Sequence, residues 1–152
     1  KVWDVMEKAN WHIYQILTKR PERMSKYSWK KEQLPNVWLG TSVEDSKVKD
    51  RIKILSNSNA KIRFVSFEPL IGDVGELDLS NIHWAIVGGE SGSNHRPFRE
   101  EWALNILRQC REQNVPFFFK QVGGTTSKSG GRLLQGKIYD EYPEVSNHGK
   151  KE

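Results

Sequence analysis

Apolar and polar residues fall in blocks along this chain. Five short runs are dense in β-branched and aromatic residues: "HIYQILTK" (12–19), "NVWLGTSV" (36–43), "KIRFVSF" (61–67), "HWAIVGG" (83–89) and "VPFFFKQ" (115–121). Each predicts a strand. The segments between them carry helical spacing instead. "KVWDVMEKA" (1–9) puts Val2, Val5 and Met6 on one side, and "RPERMSKY" has Pro21 and Glu22 where a first helical turn favours them. Ser42 and Asp45 form an S-x-x-D capping signal ahead of "SKVKDRIKILS", where Val48, Ile52 and Leu55 repeat at helical intervals. "REEWALNILRQCREQN" aligns Ala103, Ile106, Leu107 and Cys110. Only "EPLIGDVGELDLSN", after the third strand, lacks a helix pattern; its Pro69, Gly72 and Gly75 predict an extended loop.

The order is αβαβαβ(loop)βαβ. Strands joined by helical crossovers lie parallel, so the fold class is α/β. Their near-continuous apolar character fits strands covered by helices. Past residue 123, "GGTTSKSGG" predicts a mobile loop and "RLLQGKIYDEYPEV" a flap that docks back. Residues 1–143 are expected to form one domain, and 144–152 a flexible tail.

Each predicted strand ends in polar residues: Thr18-Lys19-Arg20, Thr41-Ser42, Ser66-Phe67-Glu68, Gly88-Gly89-Glu90-Ser91 and Lys120-Gln121. Parallel strands gather these ends on one rim, which in α/β sheets and barrels is where ligands bind. Alternation puts Ser66 and Glu68 on one face of their strand, Gly88 and Glu90 on one of theirs, and Phe118 with Lys120. The upper layer of such a face would hold two acids and a base, with Lys19 a second base. The plain structural alternative makes Glu68 and Glu90 ion-pair partners of Lys19, Arg20 or Lys120. Gly88-Gly89 lets backbone approach a ligand and offers N–H groups to an anion; a turn with positive φ explains the pair equally well.

Composition narrows the function classes. The chain has 152 residues with 24 Lys+Arg against 19 Asp+Glu, net +5, and mean hydropathy is −0.70. The basic excess favours phosphate-bearing partners and keeps a nucleic-acid-binding module as the alternative class. Cys110 is the single cysteine, which excludes an internal disulfide and a cysteine-built metal site within this chain. No apolar run approaches the roughly 20 residues that span a bilayer, so no membrane partner and a cytoplasmic location are expected. "GGESGS" is not a dinucleotide fingerprint, and no Gly-Lys-Ser/Thr phosphate loop exists. His95 sits in a loop as a candidate acid or base; His12, His83 and His148 receive no role. Cys110 lies on an apolar helix face, where a buried inert thiol is expected. Trp38, Trp84 and Trp102 are expected in the core.

The stretches "QILTKRPERM", "NVWLGTSVED", "RFVSFEPLIG", "WAIVGGESG", "VPFFFKQVGG" and "GGRLLQGKIYDEYP" together resemble the phage protein gp-thirty-seven/gp-sixty-eight family, a radical-SAM-like TIM-barrel family of unassigned function. The resemblance runs from about residue 1 to 143. It implies a parallel-stranded partial TIM-like (β/α) barrel of about five strands, the C-terminal portion of the family's domain. It implies S-adenosylmethionine and an iron–sulfur cluster as cofactors of a longer parent, since the family's three-cysteine motif has no counterpart here. It places ligand-facing positions at Lys19, Arg20, Thr41, Ser42, Glu44, Glu68, Gly88, Gly89, Glu90, Lys120 and Gln121, without assigning a catalytic residue. The expected partner is the N-terminal part of the same protein, or a second copy, covering an open sheet edge. The alternative remains a non-enzymatic nucleic-acid-binding module of phage or prophage origin.

Overall fold

The computed structural model describes residues 1–28 and 33–144. The tail expected from 144 onward, with His148, falls outside them beyond Glu144. Helix α1 spans Val2–Lys8, followed by β1 (Tyr14–Thr18), α2 (Pro21–Ser28), β2 (Val37–Ser42), a 3-10 turn at Ser46–Val48, α3 (Arg51–Ser56), β3 (Ile62–Phe67), β4 (Trp84–Gly88), α4 (Glu100–Glu112) and β5 (Phe117–Gln121). All five predicted strands are present, and the link after β3 is a loop.

The capping signal works differently from the sequence expectation. Ser42 is the last residue of β2. Asp45 itself is the cap: its carboxylate accepts from Lys47 N–H. That short local bond closes one 3-10 turn, and the helix proper begins again at Arg51. On α1 the buried residues are Trp3 and Met6, whereas Val2 and Val5 are exposed. The helix turns its largest side chain inward, where the Trp3 ring meets Tyr27 edge-on at 6.4 Å.

The strands form one all-parallel sheet in the order β1-β2-β3-β4-β5. Sequential order with right-handed crossovers keeps every connection on the same side of the sheet, as in a (β/α) barrel. The packing agrees. One large core joins Val37, Leu39, Val65, Phe67, Val87, Phe117 and Phe119 of the strands to Ile52, Leu55, Ala103 and Ile106 of the helices. The opposite face carries a second cluster, Trp38, Phe64 and Trp84 with Ile62, Ile86 and Phe118, built only from strand residues. Trp38 and Trp84 are core residues as expected, but of this helix-free face. Gly40 makes room there, since a Cβ would lie 2.3 Å from the Phe64 ring.

The two sheet edges are finished differently. At β5 the C-terminal flap docks back as predicted: Phe118 and Asp140 bridge antiparallel, and Phe119 N–H donates to Tyr139 O at 2.9 Å. Buried Leu134, the Arg111–Glu141 pair and the Trp84 indole N–H on Glu141 O hold it down. The glycine-rich loop before the flap is tied at both ends. Gly124 N–H donates to Glu90 O, and Val122 N–H to Gly131 O. Among the described residues no strand lies on the outer side of β1.

Candidate functional site

Glu68 and Lys120 meet at the carboxyl ends of β3 and β5, across the end of β4. The register makes this possible. Val87 pairs with Phe119, but Gly88 pairs with Gln121, so Lys120 is an extra residue in a β-bulge. A bulge re-aims a side chain at the end of a ladder. Lys120 Nζ lies 3.1 Å from both carboxylate oxygens of Glu68. Gly88 lies beneath this pair; a Cβ there would sit 3.4 Å from Glu68 Cδ and 3.5 Å from Lys120 Cβ, ordinary contacts. Gln121 completes the group, its amide donating to Ser91 Oγ at 3.0 Å and to Gly89 O at 3.3 Å.

Below the pair the helix-free face opens into a cavity of about 440 Å³. Phe64, Trp84, Ile86 and Phe118 form an apolar wall, while Gln15, Ser66, Glu68 and Lys120 supply polar atoms. This combination of a broad apolar wall with a few converging polar groups is what a small-molecule site requires. Glu68 and Lys120 contribute opposite charges, so the site is balanced rather than strongly anionic or cationic.

The other predicted residues divide. Lys19 and Arg51 both pair with Glu44, at 2.5 and 3.0 Å, and Arg51 also donates to Ser42 O. Burial alone would raise the Glu44 pKa; the Lys19 hydrogen bond and the charges of Lys19 and Arg51 outweigh it and hold the carboxyl below its ordinary value. This cluster ties β1, β2 and α3 together, and Glu44 O also accepts from Ile71 N–H. Thr41 faces the helix layer, fully buried, and donates to Thr18 O at 3.0 Å. Alternation puts Ser42 on the helix-free face instead. Gly89 serves packing: a Cβ would lie 1.8 Å from Val122 O, and its N–H already donates to Gln121 O. Neither Gly88 nor Gly89 has a positive φ, so the turn explanation fails for both, and close strand packing accounts for Gly89 alone. Arg20 lies away from the Glu68 group, at the start of α2.

Glu90 takes a partner the sequence reading missed. Arg96 donates to it from Nε, Nη2 and its backbone N–H, at 2.7–2.8 Å. These bonds, with the Arg96 charge, hold the Glu90 carboxyl down at about 2. The clasp closes the loop after β4, with His95 Nδ1 2.9 Å from Gly92 O. A carboxyl depressed in the folded chain stabilises it above the unfolded value, and the contribution is lost as pH falls toward the folded one. Carbon-13 detection of Glu90 is expected to show titration centred near 2, and Arg96→Gln to raise it part of the way toward the ordinary carboxylate range, because the backbone N–H at position 96 still donates. Arg51 was missed too; its spacing from Glu44 was the only signal available.

The remaining candidates are structural. Cys110 is fully buried, and that burial pushes its thiol up to about 12, so it is inert. His83 Nδ1 accepts from Arg63 N–H, and burial followed by the Arg63 charge lowers its pKa. Lys19, Arg51, Arg96 and Lys120 are each bonded to a carboxylate, so these four rim cations do not form a free basic strip. Among the described residues no group of three or more His, Cys, Asp or Glu could hold a metal ion. Among them, too, no helix is long and apolar enough to cross a membrane.

A family model described as "Protein of unknown function (DUF5131)" matches residues 1–143. No curated protein and no solved structure matches the chain.

Proposed function

We propose, since this chain belongs to the DUF5131 family, that it is the ligand-facing C-terminal wall of a phage-type, radical-SAM-like barrel enzyme. Its ligand lies at the carboxyl ends of β3, β4 and β5, and the observation that carries this is the Glu68–Lys120 pair over an apolar cavity. The donor set suits S-adenosylmethionine. Glu68 would accept from its ammonium, Lys120 would meet its carboxylate, and the Phe64–Trp84–Phe118 wall would take its apolar part. The donor set does not suit an iron–sulfur cluster, which needs several accessible thiolates, whereas Cys110 is single and buried. Cluster ligands therefore have to come from polypeptide outside residues 1–152. When bound, and given one electron by a reduced cluster held outside residues 1–152, S-adenosylmethionine would supply the radical and leave methionine; this chain binds and orients. Gln121, whose amide is held by Ser91, reaches the Glu68 carboxylate at 3.5 Å, and the aromatic wall lines the apolar side of the site.

Calorimetric titration with S-adenosylhomocysteine, which needs no cluster, tests the site. One binding event per chain is expected. Absence of heat at millimolar ligand would end this assignment. Anaerobic reconstitution of the protein with its upstream sequence tests the enzyme class separately, by uptake of iron and sulfide.

A further inference from the structure

Much of the exposed apolar surface belongs to the N-terminal elements, and Val2, Leu17 and Tyr27 of it line one groove. Six of the nine large hydrophobic residues exposed among those described lie between Val2 and Tyr27, and the other three are on the flap. An apolar groove of about 570 Å³ runs there between α1, α2 and β1, with Trp3, Met6, Ile16 and Met24 in its wall. It reaches Leu17, whose side chain is on the opposite face of the strand, so the apolar surface wraps around the β1 edge. The backbone of that edge is open as well. Tyr14 N–H donates to Asn36 O on the β2 side. In a parallel ladder alternate residues turn both N–H and C=O to the same neighbour, so those of Gln15 and Leu17 point outward.

Charge supplies the second observation. The chain has nine arginines. Six pair with carboxylates, and Arg63 donates to Ser58, Ala60 and Asn81 carbonyls. The two guanidinium groups without such partners among the described residues are Arg20 and Arg23, and both line this groove. They stand at the carboxyl end of β1, where α2 begins.

Resting on the reading of this chain as a barrel's C-terminal wall, we infer that the β1 edge receives an apolar β-strand supplied by polypeptide outside residues 1–152, running parallel to β1 and ending in acidic residues that meet Arg20 and Arg23. Backbone bonds to Gln15 and Leu17 give it register. Alternate side chains fill the outer groove and cover Leu17 on the inner face. The carboxylates supply the counter-charge that no described residue gives these two arginines. Such a strand extends the sheet where β1 leaves it open, while the flap closes the other end.

The test uses synthetic peptides, acetylated and amidated, with six alternating valines and threonines followed by two glutamates or two lysines. Binding is followed by amide chemical shifts of the whole 152-residue chain. The glutamate peptide is expected to bind in the submillimolar range and to move the amides of Gln15 and Leu17. The lysine peptide should bind at least tenfold more weakly, and Arg20→Gln with Arg23→Gln should erase that difference. Prolines at the third and fourth positions of the peptide should abolish binding, because one of two adjacent residues must donate to the ladder. Equal binding of both peptides, absence of binding, or shifts elsewhere would overturn the inference. So would dimerisation through β1 in sedimentation, or sodium decanoate filling the groove while the glutamate peptide does not bind, since these point to a second copy or an anionic amphiphile.

Discussion

Gly89→Ala is expected to destabilise the chain by about 3 kcal/mol or more, while Gly88→Ala, one residue earlier, stays within about 1 kcal/mol. The two glycines differ in what stands over them. At Gly89 a new Cβ would fall 1.8 Å from a backbone oxygen, Val122 O, and 3.2 Å from Phe98 Cβ. A carbonyl cannot rotate away as a side-chain end can. Relief requires parting the ends of β4 and β5, which loosens the Gly89–Gln121 bond and the neighbouring Gly124–Glu90 bond. At Gly88 the same methyl meets Glu68 and Lys120 at ordinary distances. Domains of this size are stable by only about 5–15 kcal/mol, so the difference will be plain in urea denaturation. Equal losses at both positions would mean that the strand ends do not approach this closely.

Glu68→Gln should leave stability nearly unchanged and weaken S-adenosylhomocysteine about tenfold or more. The Glu68 and Lys120 side chains are 22% and 51% exposed. An ion pair that open to water contributes about 0–1 kcal/mol to folding. A charge-assisted hydrogen bond to a ligand ammonium, formed over an apolar wall, is worth about 1.5–3 kcal/mol, and each 1.4 kcal/mol is about a factor of ten in affinity. A purely structural pair would give the reverse pattern: a folding loss and unchanged binding. Lys120→Met gives the matching arm, because it removes the group assigned to the ligand carboxylate and leaves Glu68 in place. Thermal unfolding and calorimetry on both variants separate the outcomes.

Much of this architecture was legible beforehand because it depends on short-range pattern. β-branched and aromatic runs marked all five strands, and the helical spacing between them forced parallel pairing. Ser66, Glu68 and Lys120 come together as alternation and parallel direction require. What stayed hidden depends on detail that no periodicity carries. The bulge at Lys120 comes from a register shift of one residue. The Glu90–Arg96 clasp arises in a glycine-containing loop, and the Glu44–Lys19–Arg51 cluster from three separate elements. Thr41 reads as a polar strand end, yet alternation turns its hydroxyl to the helix layer. Val2, Val5 and Met6 look like a buried face, yet only Met6 of them is buried, and Trp3 takes the inward position by its larger apolar area. The aromatic cluster of Trp38, Phe64 and Trp84 required knowing that the helices leave one face of the sheet bare.

The account as a whole depends on a ligand site at the parallel strand ends, on the side of the sheet that the helices leave open. Amide and aromatic chemical-shift mapping with S-adenosylhomocysteine addresses this most directly. The account predicts changes at Ser66, Glu68, Gly88, Lys120 and Gln121 and in the Trp84 and Phe118 rings. Changes confined to α3 and α4, or no changes at saturating ligand, would contradict it.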